Sequence, residues 1–361
     1  MPSCVKTLLF ILLNSLAACA ASPKGPTQPH TAAPGGWDYP YKGVHIEGPY
    51  GEGARRFWLY EPEGPQPVSA PVVVFMHGYG AVDAKAYGGW IGHLVRRGNI
   101  VIYPQYQSTL FGPATYTDSA LAAIKEALHV LRTEPGHVRP DRQGNFAVVG
   151  HSLGCPISSN IIGRAADEGL PRVKAFMACN PCDLHAIVKV LPSVLQSPAH
   201  MPDLLMLVVV GASDHVAGKT TGRQLFTQST GVKPEHKNLI TLCSDRAGWP
   251  WLSASHFAPL AAAEYFETGA RLGIGLDGSE LPAAICSPLT SKIRIPMSLP
   301  ATGGMDALDF FGYWKWFDAL TDAAFYGTHR EFALGNTPEQ KYMGEWSDGT
   351  PVKTPLVELA K

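Results

Sequence analysis

The sequence predicts an α/β fold, a mostly parallel twisted sheet with helices on both faces. Three observations predict it. Short, continuous apolar runs recur along the chain, as at residues 72–76 and 204–210. Segments of helical period lie between them. A Gly-x-Ser-x-Gly turn joins one such run directly to a helix. An unbroken apolar run of strand length suits a strand buried on both faces, and strands that alternate with helices imply parallel crossovers. The chain has 361 residues, 45% apolar and 16% charged, with a formal net charge of −1. It is long enough for one large α/β domain and lacks the basic excess that nucleic-acid binding requires.

The elements follow in order. Residues 1–18 carry one charge, Lys6, then an apolar stretch too short to span a bilayer, then the small residues Ala17, Ala18, Cys19 and Ala20. That pattern predicts a signal peptide and export. Leu16-Ala17-Ala18-Cys19 resembles a bacterial lipobox, in which Cys19 would be lipidated and hold the exported chain to a membrane. Residues 19–36, rich in Pro, Thr, Ala and Gly, predict a flexible tether. The core is expected over 37–287 and a C-terminal extension packed on it over 288–361.

Within the core, residues 41–50 and 54–61 predict two antiparallel strands around Gly51-Glu52-Gly53. Strands are then expected at 72–76, 100–103, 146–149, 173–177, 204–210 and 239–242. Helices are expected at 83–97, 115–132, 156–167, 184–191, 218–230 and 258–272, the last taken as the final core helix. In the second of these, Leu121, Ile124, Leu128 and Leu131 share one face. Residues 306–326 predict an aromatic helix, and the remaining Gly/Pro/Thr-rich end an extended arm. Cys155, Cys179, Cys182, Cys243 and Cys286 follow the signal and Cys19, an odd number that leaves at least one thiol unpaired within the chain. Cys155 is expected to be a small buried hydrophobe.

The chemistry centres on Gly150-His151-Ser152-Leu153-Gly154, which follows an apolar strand and opens a helix. A nucleophile elbow needs that context, because its serine sits in a sharp turn where neighbouring side chains would clash. The helix start behind Ser152 offers the Leu153 N–H to a developing oxyanion. His77-Gly78-Tyr79-Gly80, directly after residues 72–76, is placed to offer a second donor from Tyr79, whose side chain would also flank substrate. Asp214 follows the strand 204–210 at its carboxyl end, ahead of its rivals Asp245 and Asp183 as the acid. His256, in the loop after the last parallel strand, is the expected base. His236 precedes its strand and His215 adjoins the acid. Trp249 and Trp251, with part of the aromatic helix, are candidates to wall an acyl pocket. The histidine spacing contains no HExxH or HxH, so no metal site is expected.

Taken together, these residues resemble the α/β-hydrolase superfamily from about residue 41 to 273. The HGYG loop and early hairpin are similar to the branch holding chlorophyllases, dienelactone-hydrolase-like proteins and cutinase-like polyester hydrolases. The resemblance implies hydrolysis of a small-molecule carboxylic ester without metal or organic cofactor. It implies Ser152 as nucleophile, Asp214 and His256 as its partners, and Tyr79 and Leu153 as oxyanion donors. A serine peptidase or amidase on the same fold, or a non-catalytic binding lipoprotein, are the other readings, and the fold alone does not choose the substrate.

Overall fold

The computed structural model describes residues 22–109, 115–187, 192–273 and 304–361. Among them, nine strands form one sheet. They are β1 (Gly43–Tyr50), β2 (Phe57–Glu63), β3 (Val72–Met76), β4 (Ile100–Pro104), β5 (Phe146–His151), β6 (Ala175–Cys179), β7 (Leu205–Gly211), β8 (Lys237–Leu242) and β9 (Leu356–Leu359). Their order across the sheet is β1-β2-β4-β3-β5-β6-β7-β8-β9. β1 pairs antiparallel with β2, and β2 with β4. From β4 to β8 every pairing is parallel. The expected mostly parallel α/β architecture is therefore present.

Side-chain alternation divides the parallel strands between two cores. Val72, Val74, Met76, Val148 and Phe176 face α2 (Tyr116–Thr133), α3 (Gly154–Arg164) and α4 (Thr220–Gln228). Val73, Phe75, Val149 and Met177 face α1 (Gly88–Arg96) and α5 (Trp314–Tyr326). The predicted apolar stripe of α2 is buried as its spacing requires. Two registers place functional loops side by side. Met76 pairs with Gly150 and His151 with Cys179, so the carboxyl ends of β3, β5 and β6 lie next to one another.

Two regions, residues 258–272 and the stretch before residue 37, depart from expectation. The last core helix is absent over 258–272, where only a 3-10 turn, Glu264–Phe266, forms. The N–H groups of Ala261 and Ala263 donate instead to the carbonyls of Ala86 and Lys85, and Gly89 N–H returns a bond to Ala261. Backbone pairing to a neighbouring loop thus outweighs the helix propensity of an Ala-rich segment. That face of the sheet is covered by α5, where Trp314, Trp316 and Phe317 are buried in the core. The stretch expected to be a tether lies against the domain from Pro23 onward. Its Gly35 N–H donates to Asp318 at 2.7 Å, and Gln28 donates to Tyr39 at 2.9 Å. The C-terminal arm ends as β9, antiparallel to β8. The helix expected at 184–191 begins as Leu184–Ile187, its remainder falling outside the described residues. The signal segment, Cys19 and Cys286 also fall outside them.

Candidate active site

Ser152 follows β5 and precedes α3 with φ at +53°, a left-handed backbone that costs a non-glycine residue of order 1–2 kcal/mol. The flanking glycines are there for space. A Cβ on Gly154 would stand 2.2 Å from the Met76 carbonyl oxygen, and one on Gly150 2.8 Å from that of Gly154. Close approach of the elbow to β3 therefore depends on Gly154, and Gly150 lets the turn close against the start of its own helix. Ser152 N–H donates to Cys179 O, and Ser152 O accepts from Cys182 N–H, which ties the turn to β6.

The structure brings the three expected side chains together. His256 Nε2 lies 2.9 Å from Ser152 Oγ, and His256 Nδ1 lies 2.8 Å from Asp214 Oδ2. All three are buried. The other Asp214 oxygen accepts the N–H groups of Val216 and Ala217, each at 2.9 Å. Burial alone would raise the Asp214 pKa. The bond from His256 and the two amides outweigh it and hold the carboxyl below its ordinary value. Since Asp214 accepts from Nδ1–H, the Nε2 lone pair of His256 is left facing the serine hydroxyl.

The rivals are engaged elsewhere. Asp245 accepts from Trp346 Nε1 and Lys353 N–H, and Asp183 holds Ser193, Val194 and Leu195. His236 bonds Asp203 before β8, at the other end of the sheet. Leu153 is fully buried at the start of α3. In the loop after β3, the amides on either side of Tyr79 are committed: Gly78 N–H to Tyr87 Oη and Gly80 N–H to Gln107 Oε1, each at 3.0 Å. The second bond fixes the peptide plane on the carboxyl side of Tyr79, and the first fixes the peptide one residue earlier. The side chain of Tyr79 is half-buried.

Two further groups position the site and were not read from sequence. His151 accepts from Tyr87 Oη at Nδ1 (2.8 Å) and donates from Nε2 to the His256 carbonyl (2.8 Å). Its burial, with His256 nearby, lowers its pKa to about 3 and keeps the ring neutral. Asn180, at φ +46°, donates to the carbonyls of Ser255 (2.9 Å) and His256 (3.1 Å) and accepts from Gly211 N–H (2.9 Å). His256 is thus held through its own carbonyl to His151 of the elbow, and by way of Tyr87 to the HGYG loop, on one side and to the strand leading to Asp214 on the other. An Asn just past β6 was the available signal, since Asn tolerates a left-handed backbone.

Trp249 and Trp251 follow β8 at its carboxyl end. They sit on a hairpin closed by Asp245 and Leu252, 60% and 53% exposed, packed edge-to-face on each other at 5.3 Å. Cys155, Cys179, Cys182 and Cys243 are free thiols and buried, Cys155 as anticipated. Among the described residues, one cluster has metal-capable groups: Glu47, Glu61 and His137. Both Glu61 oxygens are already engaged there, by His137 Nδ1 at 2.6 Å and Val138 N–H at 2.5 Å, so the cluster reads as a hydrogen-bonded tie between β2 and the segment 137–138.

A family model described as Chlorophyllase matches residues 59–249. No curated protein matches the chain. The matched segment contains the HGYG loop, the elbow and Asp214, and ends seven residues before His256.

Proposed function

With the chain belonging to the chlorophyllase family of α/β-hydrolases, we propose that it is a serine carboxylic ester hydrolase acting through an acyl-enzyme. Family membership makes it a hydrolase. The observation that carries the finer reading is the Ser152–His256–Asp214 array, linked at 2.9 and 2.8 Å on a strained elbow.

In this mechanism Ser152 Oγ attacks the ester carbonyl as its proton passes to His256 Nε2. The carbonyl oxygen gains the electron pair and is held by the N–H groups of Leu153 and Tyr79. Each donor in such a site typically contributes about 3–4 kcal/mol to transition-state stabilisation. Asp214, kept ionised, stabilises the imidazolium and its orientation. Collapse expels the alcohol, which takes the proton from Nε2. Water then loses a proton to His256, attacks the acyl carbon and releases the acid, and the proton returns to Ser152.

The same reading has the protein exported and anchored by lipid at Cys19, on the signal-like residues 1–18 and the lipobox pattern. The test is hydrolysis of short and medium p-nitrophenyl esters by the wild type beside Ser152→Ala. Turnover that disappears in the variant supports the assignment. A folded wild type without turnover, or a variant that retains it, overturns it.

A further inference from the structure

We propose that the hairpin bearing Trp249 and Trp251 docks on a phospholipid surface and turns the Ser152 side of the domain towards it. The inference rests on the anchored, exported reading above. The hairpin is built rigidly. Asp245 and Leu252 exchange two backbone hydrogen bonds, of 2.9 and 3.0 Å, and Asp245 also receives Trp346 Nε1 and Lys353 N–H. On this fixed base the tip exposes Arg246, Trp249, Pro250 and Trp251. The Arg246 guanidinium stands 5.0 Å from the Trp251 ring centre. Two adjacent exposed indoles leave apolar surface uncovered, and indoles settle at the headgroup level of a bilayer, where ring and N–H both find partners.

Chain length identifies the occupant. Trp249 N–H donates to Pro23 O at 2.8 Å, so the chain just after Cys19 is fixed at this hairpin. Lys24 and Ser347 lock it there with two further bonds, each of 2.9 Å. Cys19 precedes Pro23 by four residues. At about 3.5 Å per residue, even an extended chain spans only ~14 Å. A lipid on Cys19 therefore holds the Trp pair at the membrane whatever path those four residues take. The exposed charges nearby nearly balance, Lys24, Arg246 and Lys353 against Glu345 and Asp348, so aromatic burial dominates the contact. His256 follows Trp251 by five residues on the same loop. Docking thus presents the nucleophile to esters dissolved in the bilayer.

The test uses the full chain carrying Ser152→Ala, so that hydrolysis plays no part. Vesicles of zwitterionic phosphatidylcholine with brominated acyl chains are the probe, read by co-flotation and tryptophan quenching. With Cys19→Ala added, the chain still partitions, and Trp249→Ser with Trp251→Ser lowers that partition about tenfold or more. The Trp249→Phe, Trp251→Phe pair retains most of it. In the anchored chain, quenching falls when the pair is replaced by Ser. Partition and quenching unchanged by the Ser pair overturn the proposal, as does a mature chain whose mass shows no lipid on Cys19.

Discussion

Replacing Asn180 by Ala tests whether the base is positioned through its backbone. The side chain is fully buried and makes three hydrogen bonds, to Ser255 O, to His256 O and from Gly211 N–H. Truncation leaves the Gly211 N–H buried without that acceptor, at about 1–3 kcal/mol. Holding Ala at φ +46° adds about 1 kcal/mol. The expected loss of stability is about 2–4 kcal/mol, read by chemical denaturation. The catalytic effect is separate. His256 O keeps its bond from His151, but the loop loses its link to the strand bearing Asp214. A displacement near 1 Å at such a site costs on the order of 100-fold. Hydrolysis of p-nitrophenyl butyrate should therefore fall 10- to 100-fold in kcat, with KM changed little. Asn180→Gly removes the backbone strain and should recover only that part of the stability, about 1 kcal/mol, without recovering kcat. A folded Asn180→Ala protein with kcat within twofold of wild type would refute the clamp.

Tyr87→Phe deprives both Gly78 N–H and His151 Nδ1 of a partner; kcat should drop about tenfold with KM nearly unchanged, measured on the same ester. Gly154→Ala drives a Cβ to 2.2 Å from Met76 O, so elbow and HGYG loop must separate, and both Tm and ester hydrolysis should collapse. Burial raises the Asp306 carboxyl to about 6, and burial with the Asp306 charge raises that of Asp309 well above its ordinary value. The folded state then holds protons that the unfolded chain releases near pH 4. Stability from these groups is complete below that pH; the Asp306 share is lost as pH rises through about 6, and the Asp309 share also declines as pH rises above about 4. The Tm of the wild type should thus fall relative to Asp309→Asn between pH 4 and 7; parallel Tm curves would contradict this.

The parts of the site legible in the sequence were those whose chemistry demands a residue type at a fixed place in the chain. Gly150 and Gly154 mark the elbow because a Cβ at Gly154 would strike β3 and one at Gly150 would strike the start of the following helix. Asp214 and His256 follow strands whose carboxyl ends converge, so strand order alone brings them near Ser152. Asn180 and His151 were illegible because they act on a main-chain carbonyl, and no spacing rule connects them to it. Composition misled in two places. Pro-rich residues near the N-terminus read as a tether, yet they dock through backbone atoms that composition does not report. The Ala-rich stretch at 258–272 reads as helix, yet its amides find carbonyls in the loop before α1. Of the aromatic helix expected at 306–326, the regular part forms over Trp314–Tyr326 after a kink at Gly312, and its burial in the core follows from the missing helix on that face.

The central claim is that Ser152, activated by His256, is the nucleophile. Its most direct test is to label the wild-type protein with a fluorophosphonate and locate the adduct by mass spectrometry. One adduct is expected, on Ser152, formed in step with loss of ester hydrolysis, and labelling should slow by orders of magnitude in His256→Gln. An adduct on another residue, or hydrolysis that survives full modification of Ser152, would contradict it.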